Sequence, residues 1–320
     1  MRIVAKDLTY VYNEKSAFAT TALEDVSLTI EEGEFFGIIG HTGSGKSTFV
    51  QHLNALIPLC GGSLTVGEYN LKKYNKKEYR AISEAGEYDG ICFERGKKVS
   101  YRKYSVRYGK AMKNLRASVG MVFQYPEYQL FGETVFADVA FGLKNFYPDR
   151  TPEQVEAAVK SAIERVGLNY SEVCNKSPFD LSGGQKRRVA IAGVIVTEPS
   201  ILVLDEPVAG LDPQGKRELM ELLHTLHGSV CKTIVIVSHD MDEVAENCTK
   251  VAVFSEGKLV CCKSPKELFS DKTGLEEIGL EVPLTARLSD ALECAGVGID
   301  SDYTAESFIS AVIQKYKETP

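Results

Sequence analysis

Apolar positions along the chain change rhythm several times, and each change marks an element. Leu8 to Tyr12, Ala22 to Ile30 and Glu34 to Gly40 alternate or fill as strands do, with Glu31, Glu32 and Gly33 as the turn between the last two. After Gly45 the spacing becomes helical: Phe49, Val50, Leu53, Leu56 and Ile57 share a face until Pro58 and the Gly61-Gly62 pair stop it. From Phe131 to about Val196 the chain is mainly helical. There Thr151-Pro152-Glu153 reads as an N-cap followed by proline at the first helical position, and Val155, Val159, Ile163 and Val166 form a stripe to bury. Two near-continuous apolar runs, Ile201 to Leu204 and Thr233 to Ser238, flank a helix carrying Leu219, Leu222, Leu223 and Leu226. Strands buried on both faces predict a parallel α/β sheet. Lys250 to Phe254 and Lys258 to Cys262, joined at Glu256-Gly257, predict an antiparallel hairpin. Beyond about Ser270 the chain shortens into small amphipathic helices, for example one carrying Leu284, Leu288, Ala291 and Leu292.

Composition narrows the classes. A chain of 320 residues with 44% hydrophobic and 25% charged content holds one large domain plus a small appendage. A net charge of -7 gives no global reason to expect nucleic acid as a partner, and none is expected. The eight cysteines are scattered without a CxxC pair, and Cys261 and Cys262 are adjacent, so reduced thiols are the reading. MRIVAKDLTYVY lacks an apolar signal core, which predicts a cytosolic chain. The longest stretch free of formal charge, Ser47 to Gly67, contains Gln51, His52, Asn54 and Pro58 and is unfit to cross hydrocarbon. Any membrane role must come through a partner. Between Lys72 and Arg116 the chain turns basic and tyrosine-rich, with fourteen Lys or Arg against five Asp or Glu.

Two stretches carry chemistry on their own. Gly40-His41-Thr42-Gly43-Ser44-Gly45-Lys46-Ser47, followed by Thr48, matches the P-loop pattern and lies between an apolar strand and a helix start. Its glycines let the backbone curl so that amides and the helix N-terminus face the β- and γ-phosphates of ATP. Lys46 adds a point charge, and the Ser47 hydroxyl can ligate Mg²⁺. Ile201-Leu202-Val203-Leu204-Asp205-Glu206-Pro207 is an apolar strand ending in two carboxylates. Asp205 is the candidate for the magnesium shell and Glu206 for polarising the attacking water; an ordinary helix cap is the structural alternative.

Leu181-Ser182-Gly183-Gly184-Gln185-Lys186-Arg187-Arg188 matches the signature motif of the ATP-binding-cassette ATPases, and on it the chain resembles that family. The resemblance implies an α/β P-loop NTPase fold: an antiparallel β subdomain, a mixed, mainly parallel core sheet and a helical subdomain carrying the signature. It also implies that Ser182, Gly183, Gly184 and Gln185 open a helix toward the γ-phosphate of ATP held by a partner subunit, a helix N-terminus used as an anion site. Gln124, then Ala209-Gly210-Leu211-Asp212, then Ser238-His239-Asp240 follow in the family's order. By resemblance Gln124 completes the magnesium and water shell, Asp212 lines the dimer seam, and His239 contacts the γ-phosphate. Tyr12 stands where the family offers an aromatic face to adenine. Tyr10 is the alternative, and core packing is the ordinary use of both.

Several stretches are similar to one branch, the ATPase subunits of energy-coupling-factor transporters, and to their second ATPase subunit in particular. They are Ile39 to Thr48, Phe123 to Phe131, Ser177-Pro178-Phe179-Asp180 and Ile278-Gly279-Leu280-Glu281-Val282-Pro283. That resemblance implies a second ATPase subunit, of a different chain, beneath a transmembrane scaffold subunit, with a substrate-capture membrane subunit supplying vitamins or metal ions; with Glu206, Ser182 and His239 all present, a homodimer is chemically allowed. The chain would work peripherally on the cytoplasmic face, its surface at Gln124 to Phe131 seating the scaffold. Tyr125, Tyr128, Leu130 and Phe131 suit that task, or pack the helical subdomain itself. The division expected is an ATPase domain over 1–270, with its helical subdomain at about 125–196, and a C-terminal helical appendage over 271–320. A basic insertion at about 79–113 departs from the family pattern and reads as surface elaboration; contact of its basic residues and of Tyr88, Tyr101, Tyr104 and Tyr108 with anionic lipid headgroups or a nucleic acid is the alternative. The alternative is the ATPase of a conventional binding-protein-dependent importer. Translation-associated cassette proteins carry two cassettes, and chromosome ATPases put a long coiled coil between P-loop and signature, where this chain has no heptad run.

Overall fold

A computed structural model of the chain describes residues 1–14, 16–73, 90–93, 105–270 and 272–318. Its first sheet is built from β1 (Ile3–Tyr12), β2 (Thr20–Ile30), β4 (Gly61–Val66), β5 (Tyr69–Lys73) and β6 (Gly90–Phe93), in the order β2-β1-β4-β5-β6. All its pairs are antiparallel except β5 with β6. The second sheet holds β3 (Phe35–Ile39), β7 (Val119–Val122), β8 (Ile201–Asp205), β9 (Thr233–Val237), β10 (Lys250–Ser255) and β11 (Lys258–Lys263), in the order β11-β10-β3-β9-β8-β7. Only β11 runs antiparallel to its neighbour. The architecture is thus α/β, with an antiparallel sheet, a mainly parallel one, and helices.

β3, β7, β8 and β9 are buried along their whole length, as their unbroken apolar runs require. Alternate residues feed two different cores. Leu202, Leu204, Ile234 and Ile236 join the helical side, with Val139 of α3 (Val135–Phe146), Val159 of α4 (Pro152–Arg165) and Ala192 of α6 (Gly183–Ile195), which follows the short α5 (Tyr170–Val173). Leu223 of α7 (Pro213–Leu226) also lies there. Ile201, Val203, Val235 and Val237 face the other way, onto α1 (Lys46–Leu53) and the antiparallel sheet. A strand with period-two side chains therefore glues both layers at once.

The capping expected at Thr151 is present in full: Thr151 accepts from Gln154 N, and the Gln154 side chain returns to Thr151 N. Two expectations are corrected. α1 ends at Leu53, because Asn54 caps it and Ala55 takes a left-handed φ of 53°. Leu56 and Ile57 thus lie outside the helix. In α11 (Leu284–Cys294), Leu284 and Leu288 stay 49% and 42% exposed, while Thr285 and Ala286 are the buried residues. Its rotation is set by polar ties: Leu284 N donates to Asp242 Oδ1 at 2.7 Å, and Thr285 Oγ1 to Tyr303 O at 2.6 Å. The basic insertion expected at about 79–113 lies mostly outside the described residues. Within it β6 extends the first sheet, and α2 (Ser105–Ser118) leads into β7.

α8 (Met241–Asn247), α9 (Pro265–Ser270), α10 (Lys272–Glu277), α11 and α12 (Ala305–Glu318) complete the described helices. Met241, Val244, Leu268, Phe269, Leu280, Val282 and Ala286 form a third core against Ile39, Val251 and Val253. The stretch from α8 to the start of α11 is thereby packed on β3 and β10, two interior strands of the second sheet.

His52 is fully buried on α1, its Nδ1 donating to Thr48 O at 2.7 Å and its ring edge-on to Tyr10 at 5.0 Å. Burial pushes its pKa down from 6.5 to about 4. A histidine held neutral in the fold stabilises it above pH 6.5, and that contribution is lost as pH falls toward 4. Denaturant titrations should show His52→Gln losing about 3 kcal/mol less than the parent between pH 7 and pH 4. Parallel pH dependences would refute the assignment.

Candidate active site

The loop between β3 and α1 reverses tightly. Gly40 sits at φ 149° and Gly45, which precedes the helix, at φ 100°. A Cβ on Gly40 would collide with Phe254 O and Ser44 Oγ, so glycine is required by space as well as by angle. Lys46 is buried and folds back along the loop, donating to Gly40 O at 2.7 Å and His41 O at 2.9 Å. Burial lowers its pKa, opposed by the nearby carboxylates of Glu206 and Asp205. The His41 ring lies 3.2 Å from Thr42 O, and Thr42, Gly43 and Ser47 are exposed around it. Ser44 and Thr48 are buried beneath.

β8 delivers Asp205 next to this loop. Burial raises the Asp205 pKa, and a hydrogen bond from Ser47 with the charges of Lys46 and His239 pulls it back. Glu206 follows in a left-handed conformation, φ 50°, its N–H donating to Val237 O at 2.9 Å. Such a backbone is strained for a non-glycine residue, and it aims the carboxylate off the strand end. Glu206 Oε2 accepts from Gln124 Nε2 at 2.8 Å, and Oε1 lies 2.6 Å from His239 Nε2. The second distance places one proton between Nε2 and the carboxylate oxygen. P-loop, Asp205, Glu206, Gln124 and His239 therefore converge at the C-terminal ends of β3, β8, β7 and β9.

Tyr12 is exposed, with its hydroxyl 3.1 Å from Thr48 Oγ1, at the rim of the loop. Tyr10 packs edge-on against Tyr12 at 4.8 Å and against the core, so of the two only Tyr12 offers a free face. Ser182, Gly183 and Gly184 are exposed, and nothing lies within 4 Å of a Cβ built on either glycine. Ser182 caps α6: Oγ accepts from Gln185 N, and the Gln185 side chain accepts from Ser182 N. That leaves the Ser182 hydroxyl proton free to donate. α6 packs on α3, α4 and the 3₁₀ turn Pro126–Gln129. Asp212 is exposed and caps α7 through Gly215 N at 2.8 Å.

One buried arginine and its half-buried partner escaped the sequence reading. Arg187, on α6, donates twice to Glu127, from Nε at 3.1 Å and Nη2 at 2.9 Å, and also reaches Pro207 O at 2.9 Å and Ala209 O at 3.1 Å. One guanidinium thus ties the signature helix to the turn after Gln124 and to the segment after Glu206. A basic residue inside a helix of otherwise apolar inward positions was the available signal. The expectation at Gln124–Phe131 also divides. Tyr128 and Phe131 are exposed, whereas Leu130 is buried in the helical core and takes the packing role.

Magnesium fits this site by donor chemistry. Asp205 Oδ1 is buried without a hydrogen-bond partner, beside an exposed Ser47 hydroxyl. The Gln124 amide spends its nitrogen on Glu206 and keeps its oxygen. Hard oxygens of this kind suit Mg²⁺.

Fold and site together define an ATP-binding cassette. A family model described as ABC transporter matches residues 23–209. "Energy-coupling factor transporter ATP-binding protein EcfA2" of Clostridium tetani is 40% identical over 302 residues, covering 94% of this chain and 92% of that protein. The protein of the same name from Symbiobacterium thermophilum is 43% identical over 313 residues, covering 98% and 96%. Among solved structures, cbiO1 from Clostridium perfringens, part of the ABC transporter complex cbiONQ, superposes with a TM-score of 0.65 at 33% identity, covering 90% of this chain and 98% of that one. A dimeric ATP-binding cassette in a post-hydrolysis state, bound to ADP and Pi, gives 0.63 at 25% identity, with 82% and 98% covered. The chain belongs to the ABC transporter family, within the branch of energy-coupling-factor ATP-binding subunits.

Arg187 should be expensive to remove, because its loss strands the half-buried Glu127 carboxylate and two carbonyls. Arg187→Met is expected to cost about 3 to 5 kcal/mol in denaturant titration, and the pair Arg187→Met with Glu127→Leu less than that. An additive double variant would contradict the pairing.

Proposed function

We propose that this chain is the ATP-binding and ATP-hydrolysing subunit of an energy-coupling-factor importer, powering uptake of vitamins or metal ions. The observation that carries the hydrolytic part is Glu206, held between Gln124 and His239 at the mouth of the P-loop. Two donors fix its carboxylate while lone pairs stay open for a water, as a general base requires. The loop from Gly40 to Thr48 cradles the phosphates, with Lys46 exchanging its own carbonyl partners for phosphate oxygens. His239 holds Glu206 by one nitrogen and meets the γ-phosphate side of the cleft. Tyr12 stacks on adenine. Ser47, Asp205 and Gln124 would hold Mg²⁺, which when bound neutralises charge on the β- and γ-phosphates.

ATP sits between the cradle of one subunit and the Ser182 helix tip of another. The exposed Gly183 and Gly184 amides and the free hydroxyl proton of Ser182 then face the γ-phosphate from the opposite side. Asp212, capping α7 at the surface, lies in the seam. The second ATPase is a different chain in this reading. The exposed Tyr128 and Phe131, the latter edge-on to Phe141 at 4.8 Å, seat a helix of the transmembrane scaffold. No helix among the described residues is long and apolar enough to cross a membrane. In this reading the scaffold contacts hold the chain at the cytoplasmic face. Residues 1–270 supply the ATPase and 271–320 an appendage docked on it.

Glu206→Gln keeps the hydrogen-bonding shape and removes the base. ATP binding should persist while turnover drops about 10²- to 10⁴-fold in a phosphate-release assay on the assembled ATPase pair. Near-normal turnover would sink the assignment.

A further inference from the structure

His239 is only as useful as the turn that carries it, and that turn is clamped by a residue outside every motif. Glu243 lies one helical turn beyond His239, on α8, and is buried. Its Oε2 accepts from Ser238 Oγ at 2.7 Å, and Ser238 Oγ in turn accepts from Asp240 N at 3.1 Å. Glu243 N closes the ring by donating to Asp240 Oδ1 at 3.2 Å. The ring thus locks the residue on each side of His239 and leaves the imidazole itself outside, free to reach Glu206 Oε1 at 2.6 Å. From below, Ser238 N donates to Ile38 O at 3.2 Å, which ties the same turn to β3 and the P-loop strand.

We infer that Glu243 is the positioning residue for His239: through Ser238 it fixes the backbone from which the imidazole holds Glu206. The inference rests on the hydrolytic reading of His239 and Glu206 given above. What Ser238 requires is an acceptor, and the surroundings favour the uncharged one. Burial pushes the Glu243 pKa up to about 7, with Asp240 adding to it and Ser238 and Lys216 opposing. Lys216 does not reach Glu243 but pairs with Asp240 Oδ2 at 2.7 Å, and Cys248 packs nearby as a neutral thiol. Glu243 Oε1 is buried with no hydrogen-bond partner, so a second charged oxygen has nothing to stabilise it. A glutamine, isosteric with the protonated acid, supplies the same carbonyl acceptor.

The test is a variant cycle in ATP hydrolysis by the assembled ATPase pair. His239→Ala comes first: wild-type turnover there would overturn the reading of the site on which this inference rests, before Glu243 is touched. Given a slow His239→Ala, Glu243→Ala in the parent background should lower kcat about 10- to 100-fold, the scale of a misplaced catalytic group, with KM for ATP little changed. Glu243→Gln should restore turnover to within about threefold of the parent, since the acceptor returns. In the His239→Ala background Glu243→Ala should add no further loss, because its effect passes through the imidazole. Ser238→Ala should behave as Glu243→Ala does and carries the test if that variant fails to fold. A Glu243→Gln protein as slow as Glu243→Ala, or an equal further loss without His239, would overturn the inference.

Discussion

Parallel pairing sets Leu204 beside both Val122 and Ile236, Asp205 beside Val237, and Val237 beside Ile38. That register alone brings Gln124, Glu206, His239 and the P-loop to one edge, because each follows its strand by one to three residues. A slip of a single residue would exchange the two faces of β8, sending Leu202 and Leu204 toward the antiparallel sheet and Ile201 and Val203 toward the helices. Both cores forbid it. The catalytic geometry is therefore a by-product of hydrophobic packing on two sides of one sheet, and the polar residues at its edge inherit a position they did not create.

The same edge is where the fold accepts strain. Glu206 and Tyr125 both take left-handed backbone angles, each directly before a proline. A residue before proline disfavours helical angles as well, so these two turns have few alternatives. Arg187 reaches into both, gripping Glu127 beyond Tyr125 and the carbonyls of Pro207 and Ala209 beyond Glu206. Any displacement of the Gln124 turn must then be shared by α6, whose first residue boundary is Ser182. The helix that Ser182 opens and the turn that carries Glu206 are thus tied through one guanidinium.

The local parts were plain in the sequence. Three buried strands, the phosphate loop, the paired carboxylates and the Thr151 cap all depend on neighbours within a few residues, as the unbroken apolar run from Ile201 to Leu204 shows. What stayed hidden depends on distance along the chain. Arg187 and Glu127 are joined only once α6 has packed on the turn after Gln124. The exposed Leu284 and Leu288 have the spacing of a core stripe, but ties to Asp242 and Tyr303 turn that stripe outward. α1 stops at Leu53 because of a backbone angle at Ala55 that no apolar periodicity encodes. Glu243 looked like one more charge on a short acidic helix, and only burial distinguishes it from Asp242 or Glu246.

In the proposed two-subunit arrangement, two helix N-termini serve one nucleotide. α1 begins inside the phosphate loop of its own chain, while α6 begins at Ser182, capped by its own Gln185 and open beyond it. Each end carries about half a positive charge. In that arrangement they attract a triphosphate from both sides, and without an anion between them they repel. Arg187 couples the helix that Ser182 opens to the Gln124 turn, so in the proposed arrangement separation of the subunits would be linked to movement of the surface at Tyr128 and Phe131. Bond cleavage leaves that charge in place as ADP and phosphate, so in the proposed two-subunit arrangement the departure of phosphate is the step that lets the two helix ends separate.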